Sequence, residues 1–195
     1  MTAQACREVL ENAAHRERAP ALDAAHPHCV CEAWSLSLAN DNRLEGGELV
    51  ARILTAPGDY DEESQTVLTA RLCDLYSCGL SVIRAGASDE EILDTINQLT
   101  IEANGDRTLL GAVVVSVEEI RQFDAADRWF GVYATDDRGK SYHGDVMGVS
   151  PVGSKSAIGR AKSRRRHLLA ASWNDKVLFS DIPLDLLAQL RTAGI

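Results

Sequence analysis

The sequence predicts an α+β fold: a single domain with a small, mainly antiparallel sheet, a central hairpin, flanking helices and a helical N-terminal extension. Three observations lead there. "LSVIR" (80–84) and "LLGAVVVSV" (109–117) are short runs rich in β-branched residues. The runs 129–135 and 141–147 flank "DDRGK", a hairpin turn with glycine where a positive φ is needed. Stretches of helical spacing stand around these runs without the strict strand–helix alternation that builds a doubly wound parallel sheet.

Taken in order, Ala3, Cys6, Val9, Leu10, Ala13 and Ala14 recur at helical spacing and predict a helix over 3–18, ended by Pro20. "CVCEAWSLSL" (29–38) reads as an extended strand with an imperfect period of two, and "GGELVARIL" (46–54) as a short helix. Pro57 and Gly58 break that helix, and four of the five positions from Asp59 to Glu63 are acidic. A boundary is placed there, giving a mainly helical flank over 1–62 and an α+β core over 63–195.

Val67, Leu68, Leu72 and Leu75 share one side of a helix expected from Glu63 to Ser77, closed by Gly79. Ser88 and Glu91 have capping-box spacing at the head of "SDEEILDTINQL". The run 109–117 is too short for a comfortable helix and suits a strand buried on both faces. "VEEIRQF" (117–123) either prolongs it or makes one helical turn. A basic helix is expected from Lys155 to Trp173, weakened at Gly159 by about 1 kcal/mol relative to alanine. The last helix, within 180–194, takes Asp181 as N-cap, Pro183 in its first turn and Gly194 as C-terminal cap.

An apolar fraction of 45% and a charged fraction of 25% exclude disorder throughout. No apolar run approaches bilayer length, and Arg7, Glu8, Arg16, Glu17 and Arg18 interrupt the region where a signal peptide needs apolar residues. The expectation is a cytoplasmic protein with no membrane partner. Five cysteines without an export signal are then reduced thiols rather than disulfides, and Cys73 and Cys78 are packing residues of a buried helix.

The formal charge of −9 is unevenly spread, because Val146–Asn174 holds six cations and no acid; that window is +6 and the remainder −15. The basic helix accounts for all six. At 100° per residue Ile158, Ala161, Leu168, Leu169 and Ser172 form one stripe, Arg160, Arg164 and His167 lie away from it, and Lys162 and Arg166 edge it. Arg165 projects within the stripe and is expected to pair or snorkel.

"HPHCVC" (26–31) offers zinc-type ligands in His26, His28, Cys29 and Cys31. An extended segment points the histidines one way and the cysteines the other, so no metal and no cofactor is expected. His143 and Asp145, two apart on a strand, project from one face, where a carboxylate orients an imidazole as general base; the same spacing suits a solvated hairpin face. Arg84, at the end of "LSVIR", is the candidate anion binder for that face. No G-x-S-x-G elbow, dinucleotide fingerprint or H-E-x-x-H motif occurs, and Ser154–Lys155 stand where a phosphate loop needs Lys before Ser or Thr.

These features support three functions. The first is a non-catalytic binding or regulatory protein that engages an acidic protein, a nucleic acid or a second copy of the chain through Lys155, Arg160, Lys162, Arg164 and Arg166. The second is a small hydrolase or group transferase using His143, Asp145 and Arg84 as its catalytic set. The third is a zinc-binding protein built on the HPHCVC segment.

Overall fold

The computed structural model describes residues 2–61, 63–101, 107–122, 128–137 and 140–195. Its helices are α1 (Ala3–Asn12), α2 (Arg18–Ala25), α3 (Asp89–Thr100), α4 (Val117–Arg121), α5 (Lys155–Trp173) and α6 (Pro183–Ala193). Its strands are β1 (Leu49–Ala56), β2 (Tyr60–Asp61), β3 (Thr66–Val67), β4 (Leu80–Arg84), β5 (Thr108–Ser116), β6 (Phe130–Asp137), β7 (Lys140–Gly148) and β8 (Val177–Phe179). β2 and β3 pair with each other; the rest form an antiparallel sheet in the order β6-β7-β4-β1-β5-β8. The α+β class stands, with the β6–β7 hairpin at one end of the sheet. No helix among the described residues is long and apolar enough to cross a membrane.

Strand alternation divides the buried residues between two layers. Val50, Leu54, Val82, Val113, Val115, Val132 and Val146 pack with Leu169, Ala170 and Trp173 of α5 and with Leu72 and Leu75 of the 3-10 turn Thr69–Tyr76. On the opposite face Ala51, Ile53, Ile83 and Ala112 meet Ile92 and Ile96 of α3 and Leu186 and Leu190 of α6. Full burial of each isoleucine of α3 stabilises the fold by about 1.5–3 kcal/mol. The Ser88–Glu91 capping box forms at the start of that helix, and a second, Ser116–Glu119, turns the end of β5 into α4.

Several expectations are corrected. Residues 46–54 are not a helix: Val50 and Leu54 serve one core and Ala51 and Ile53 the other, so burial on both sides hides the period of two. β1 precedes the boundary drawn after residue 62 yet sits between β4 and β5. Residues 63–77 form β3 and a 3-10 turn rather than one helix, and Cys73 is exposed. Pro20 does not end a helix; it lies in the first turn of α2, where a missing N–H is tolerated. Ile182, not Asp181, is the N-cap residue of α6, while Pro183 and Gly194 (φ 99°) stand as expected. Gly139 of the hairpin turn, Glu62 and Phe123 lie outside the described residues.

The N-terminal extension packs on the hairpin. Cys6, Ala19, Leu22, Cys29, Cys31 and Leu36 enclose Tyr133 of β6 and Met147 of β7. The Leu36 N–H donates to the Ala134 carbonyl at 2.8 Å. The buried Glu32 carboxylate accepts from Arg121 Nε at 3.0 Å, from Arg128 and from the Val132 N–H. Residues 29–38 therefore make no regular strand; a 3-10 turn, Val30–Ala33, delivers Glu32 to these donors. Contrary to the expectation of reduced thiols throughout, Cys6 and Cys31 form a disulfide with Cα atoms 6.0 Å apart.

Candidate functional site

β7 places His143 and Asp145 on one face, both buried. They do not touch directly. Thr135, opposite His143 in the β6–β7 register, stands between them, its Oγ1 2.8 Å from Asp145 Oδ2 and 2.9 Å from His143 Nδ1. An ionised carboxylate only accepts, so the single Thr135 proton goes to Asp145 and the hydroxyl oxygen accepts from Nδ1–H. His143 Nε2 is buried without a hydrogen-bond partner among the described residues. A cavity of about 110 Å³ adjoins the ring, lined by Ile53, Ile83, Thr95, Gln98 and Lys140 among others. Lys140 is already engaged there, with Nζ 2.9 Å from both Thr95 Oγ1 and Gln98 Oε1 and 3.2 Å from Asp94.

Arg84 does not join this set. It is 2% exposed and donates to both Glu48 carboxylate oxygens at 2.8 and 3.1 Å and to the Asn42 and Arg43 carbonyls. These bonds tie residues 42–48 to the end of β4 and occupy the guanidinium. The arginine lining the cavity is instead Arg52, whose Nη1 reaches the Ser81 carbonyl at 3.0 Å just past the two paired positions of β1 and β4. Burial lowers its pKa, opposed by the carboxylates of Asp59, Asp74 and Asp145. Sequence reasoning missed Thr135 and Arg52; the signal for Thr135 is the hairpin register, which an unknown turn length conceals.

The basic helix spans the expected residues and is capped by Ser154, whose side chain accepts from the Ala157 N–H. Lys155, Arg160 and Arg164 are exposed, and Lys162 and Arg166 are half-buried. Lys162 Nζ lies 4.7 Å from the centroid of the Tyr76 ring. Among the described residues none of these five cations forms an ion pair, whereas Arg43, Arg84, Arg121, Arg128, Lys140, Lys176 and Arg191 all do. Arg165 turns inward with Leu169, Ala170 and Trp173; it donates to the Val149 carbonyl at 2.8 Å and lies 5.1 Å from the Trp129 ring centroid. The buried stripe is rotated from the expected one, so that Leu168, 40% exposed, shares the outer face with Arg164 and His167.

The HPHCVC segment is not extended. His28 (φ 63°) and Cys29 (φ 55°) are both left-handed, and the chain doubles back there. Cys31 thus returns to Cys6 of α1, and the ligand atoms of Cys6, His26 and Cys31 all lie within 4.8 Å of one another. His28 is exposed, and burial pushes the Cys29 thiol up to about 11.

No family model, no curated protein and no solved structure matches this chain. Fold and sites together describe an α+β domain with α5 on one sheet face, five of its cations forming no ion pair among the described residues, and His143, Thr135 and Asp145 buried at the other.

Proposed function

We propose that the protein is a non-catalytic binding protein whose α5 engages an acidic face of another protein. The observation that carries this is that, among the described residues, Lys155, Arg160, Lys162, Arg164 and Arg166 form no ion pair while seven other cations do. A helix face merely leaning on its own acidic body would show such pairs. A protein partner suits the outer face better than nucleic acid, because Leu168 adds apolar contact beside Arg164, α5 has no Phe or Tyr and buries its one Trp, and the acidic remainder repels a duplex. A cytoplasmic setting belongs to the same proposal.

Replacing Arg160, Lys162, Arg164 and Arg166 by Gln tests it. Wild type should be retained on immobilised polyglutamate and released by salt, and the variant should lose retention with its thermal midpoint unchanged. Equal retention of both would sink the reading; preference for an oligonucleotide over polyglutamate would replace the acidic protein with nucleic acid. Self-association lost in the variant would make the partner a second copy.

The histidine relay favours a second reading, a small hydrolase or group transferase with His143 as base, Thr135 and Asp145 as its positioning residues, and Arg52 in the place assigned to Arg84. His143→Ala should then abolish hydrolysis of a susceptible ester with little loss of stability. A large loss of stability would mark the relay as structural.

A further inference from the structure

We propose that Cys6, His26 and Cys31, once the disulfide is reduced, form a zinc site with three protein ligands. The residue types are those zinc prefers, two thiolates and an imidazole. Zn–S and Zn–N bonds of about 2.3 and 2.0–2.1 Å at tetrahedral angles hold ligand atoms roughly 3.5–3.8 Å apart. The three ligand atoms already lie within 4.8 Å of one another, so metal entry requires parting the two sulfurs and drawing the imidazole toward them. It is the one group of three or more such ligands converging in this way among the described residues.

The backbone around the site is arranged for this convergence. Cys6 is held by α1, whose N-terminus Thr2 caps. Cys31 returns to His26 only because His28 and Cys29 occupy the left-handed region, at a cost of roughly 1–2 kcal/mol for each non-glycine residue. Such strain persists where surrounding packing enforces it, and here Cys29 is locked under Tyr133 and Leu36 belongs to the same cluster. Cys6 and Cys31 are fully buried among Ala19, Leu22 and Met147, which keeps water from the sulfurs, while the half-buried His26 leaves a route inward. The fourth tetrahedral position remains for water or a donor from another molecule.

Disulfide and metal site are alternative states of the same three residues. A dithiol reductant transfers two electrons and two protons to the Cys6–Cys31 bond, becoming a disulfide itself and leaving two thiols. Zinc then displaces the two thiol protons into solution, so its uptake releases acid. The competing explanation is a disulfide with a histidine beside it.

The full chain, reduced with a phosphine and desalted after exposure to Zn²⁺, should retain about one zinc per chain by elemental analysis, and the oxidised chain far less. Co²⁺ in place of zinc should give the thiolate charge-transfer band and the visible absorption of a tetrahedral site. His26→Ala, at a half-buried position that does not threaten folding, should weaken zinc binding about tenfold or more and change the cobalt spectrum, whereas His28→Ala should alter neither. Failure of the reduced chain to hold zinc, or zinc retention indifferent to His26→Ala, overturns the proposal and leaves the pair a disulfide only.

Discussion

Glu32→Ala removes the carboxylate through which the N-terminal extension is fastened to β6 and α4. The substitution strands the buried Val132 N–H, which costs about 1–3 kcal/mol. It also takes the charged partner from Arg121, whose side chain is 18% exposed and whose bond to Glu32 is worth about 1.5–3 kcal/mol. Arg128, 37% exposed, adds little. The expected loss is about 3–5 kcal/mol, the range for breaking a buried pair by removing one partner.

Glu32→Gln should behave differently. Its carbonyl still accepts from Val132 and Arg121, and it sheds the cost of a buried charge. That cost is visible in the Glu32 pKa, which burial raises against the opposing pull of Arg121. The loss should stay within about 1 kcal/mol. The pH dependence follows from the same shift. A carboxyl whose folded pKa is raised contributes stability that is complete below its unfolded value and declines as pH climbs through the folded one. Wild type should therefore lose ground to Glu32→Gln as pH rises from the acidic range. Urea unfolding of the three proteins over a pH series measures both effects. Equal damage from Gln and Ala would show that the ion pair itself is the anchor, and an Ala variant within 1 kcal/mol of wild type would show that the extension is held elsewhere.

Arg165→Gln should cost about 2–4 kcal/mol through its charged hydrogen bond and its place over Trp129, whereas the quadruple Gln variant of the outer cations should lose under about 1 kcal/mol; equal denaturation midpoints would mean the helix faces are assigned wrongly. Gly111→Ala places a Cβ 2.0 Å from the Leu178 carbonyl at φ +153° and should destabilise by about 2–4 kcal/mol, and wild-type stability would show that β8 shifts freely. Alkylation at neutral pH should label exposed Cys73 first, half-buried Cys78 more slowly and Cys29 only on unfolding; early labelling of Cys29 would contradict its burial and its raised pKa.

Local chemistry was legible where one rule decided the outcome. The Ser88–Glu91 cap, the Lys155–Trp173 helix and the inward Arg165 needed only spacing, and each formed where the sequence placed it. β1 was misread because a strand serving two cores is apolar at successive positions, here 49–51 and 53–54 on either side of Arg52, for which periodicity cannot separate strand from helix. The 3-10 turn at 69–76 keeps Leu72 and Leu75 buried at positions a helix would also bury, so composition concealed the tighter winding. His143 and Asp145 were picked from a same-face spacing, but the hydroxyl joining them belongs to the neighbouring strand. The meeting of Cys6 with His26 and Cys31 depends on two left-handed residues that no side-chain preference announces.

The strand β6 ends the sheet, and what lies beyond it is the N-terminal extension, bonded to it at Ala134 and Val132 and seated on Tyr133. An end strand stripped of such cover presents free N–H and C=O groups in a row, the template on which a second copy adds its own strand. The extension is thus a guard on a sticky margin. A chain shortened to begin after Asn42 should still contain every strand of the sheet, yet it should associate through β6 more strongly than the full chain as concentration rises.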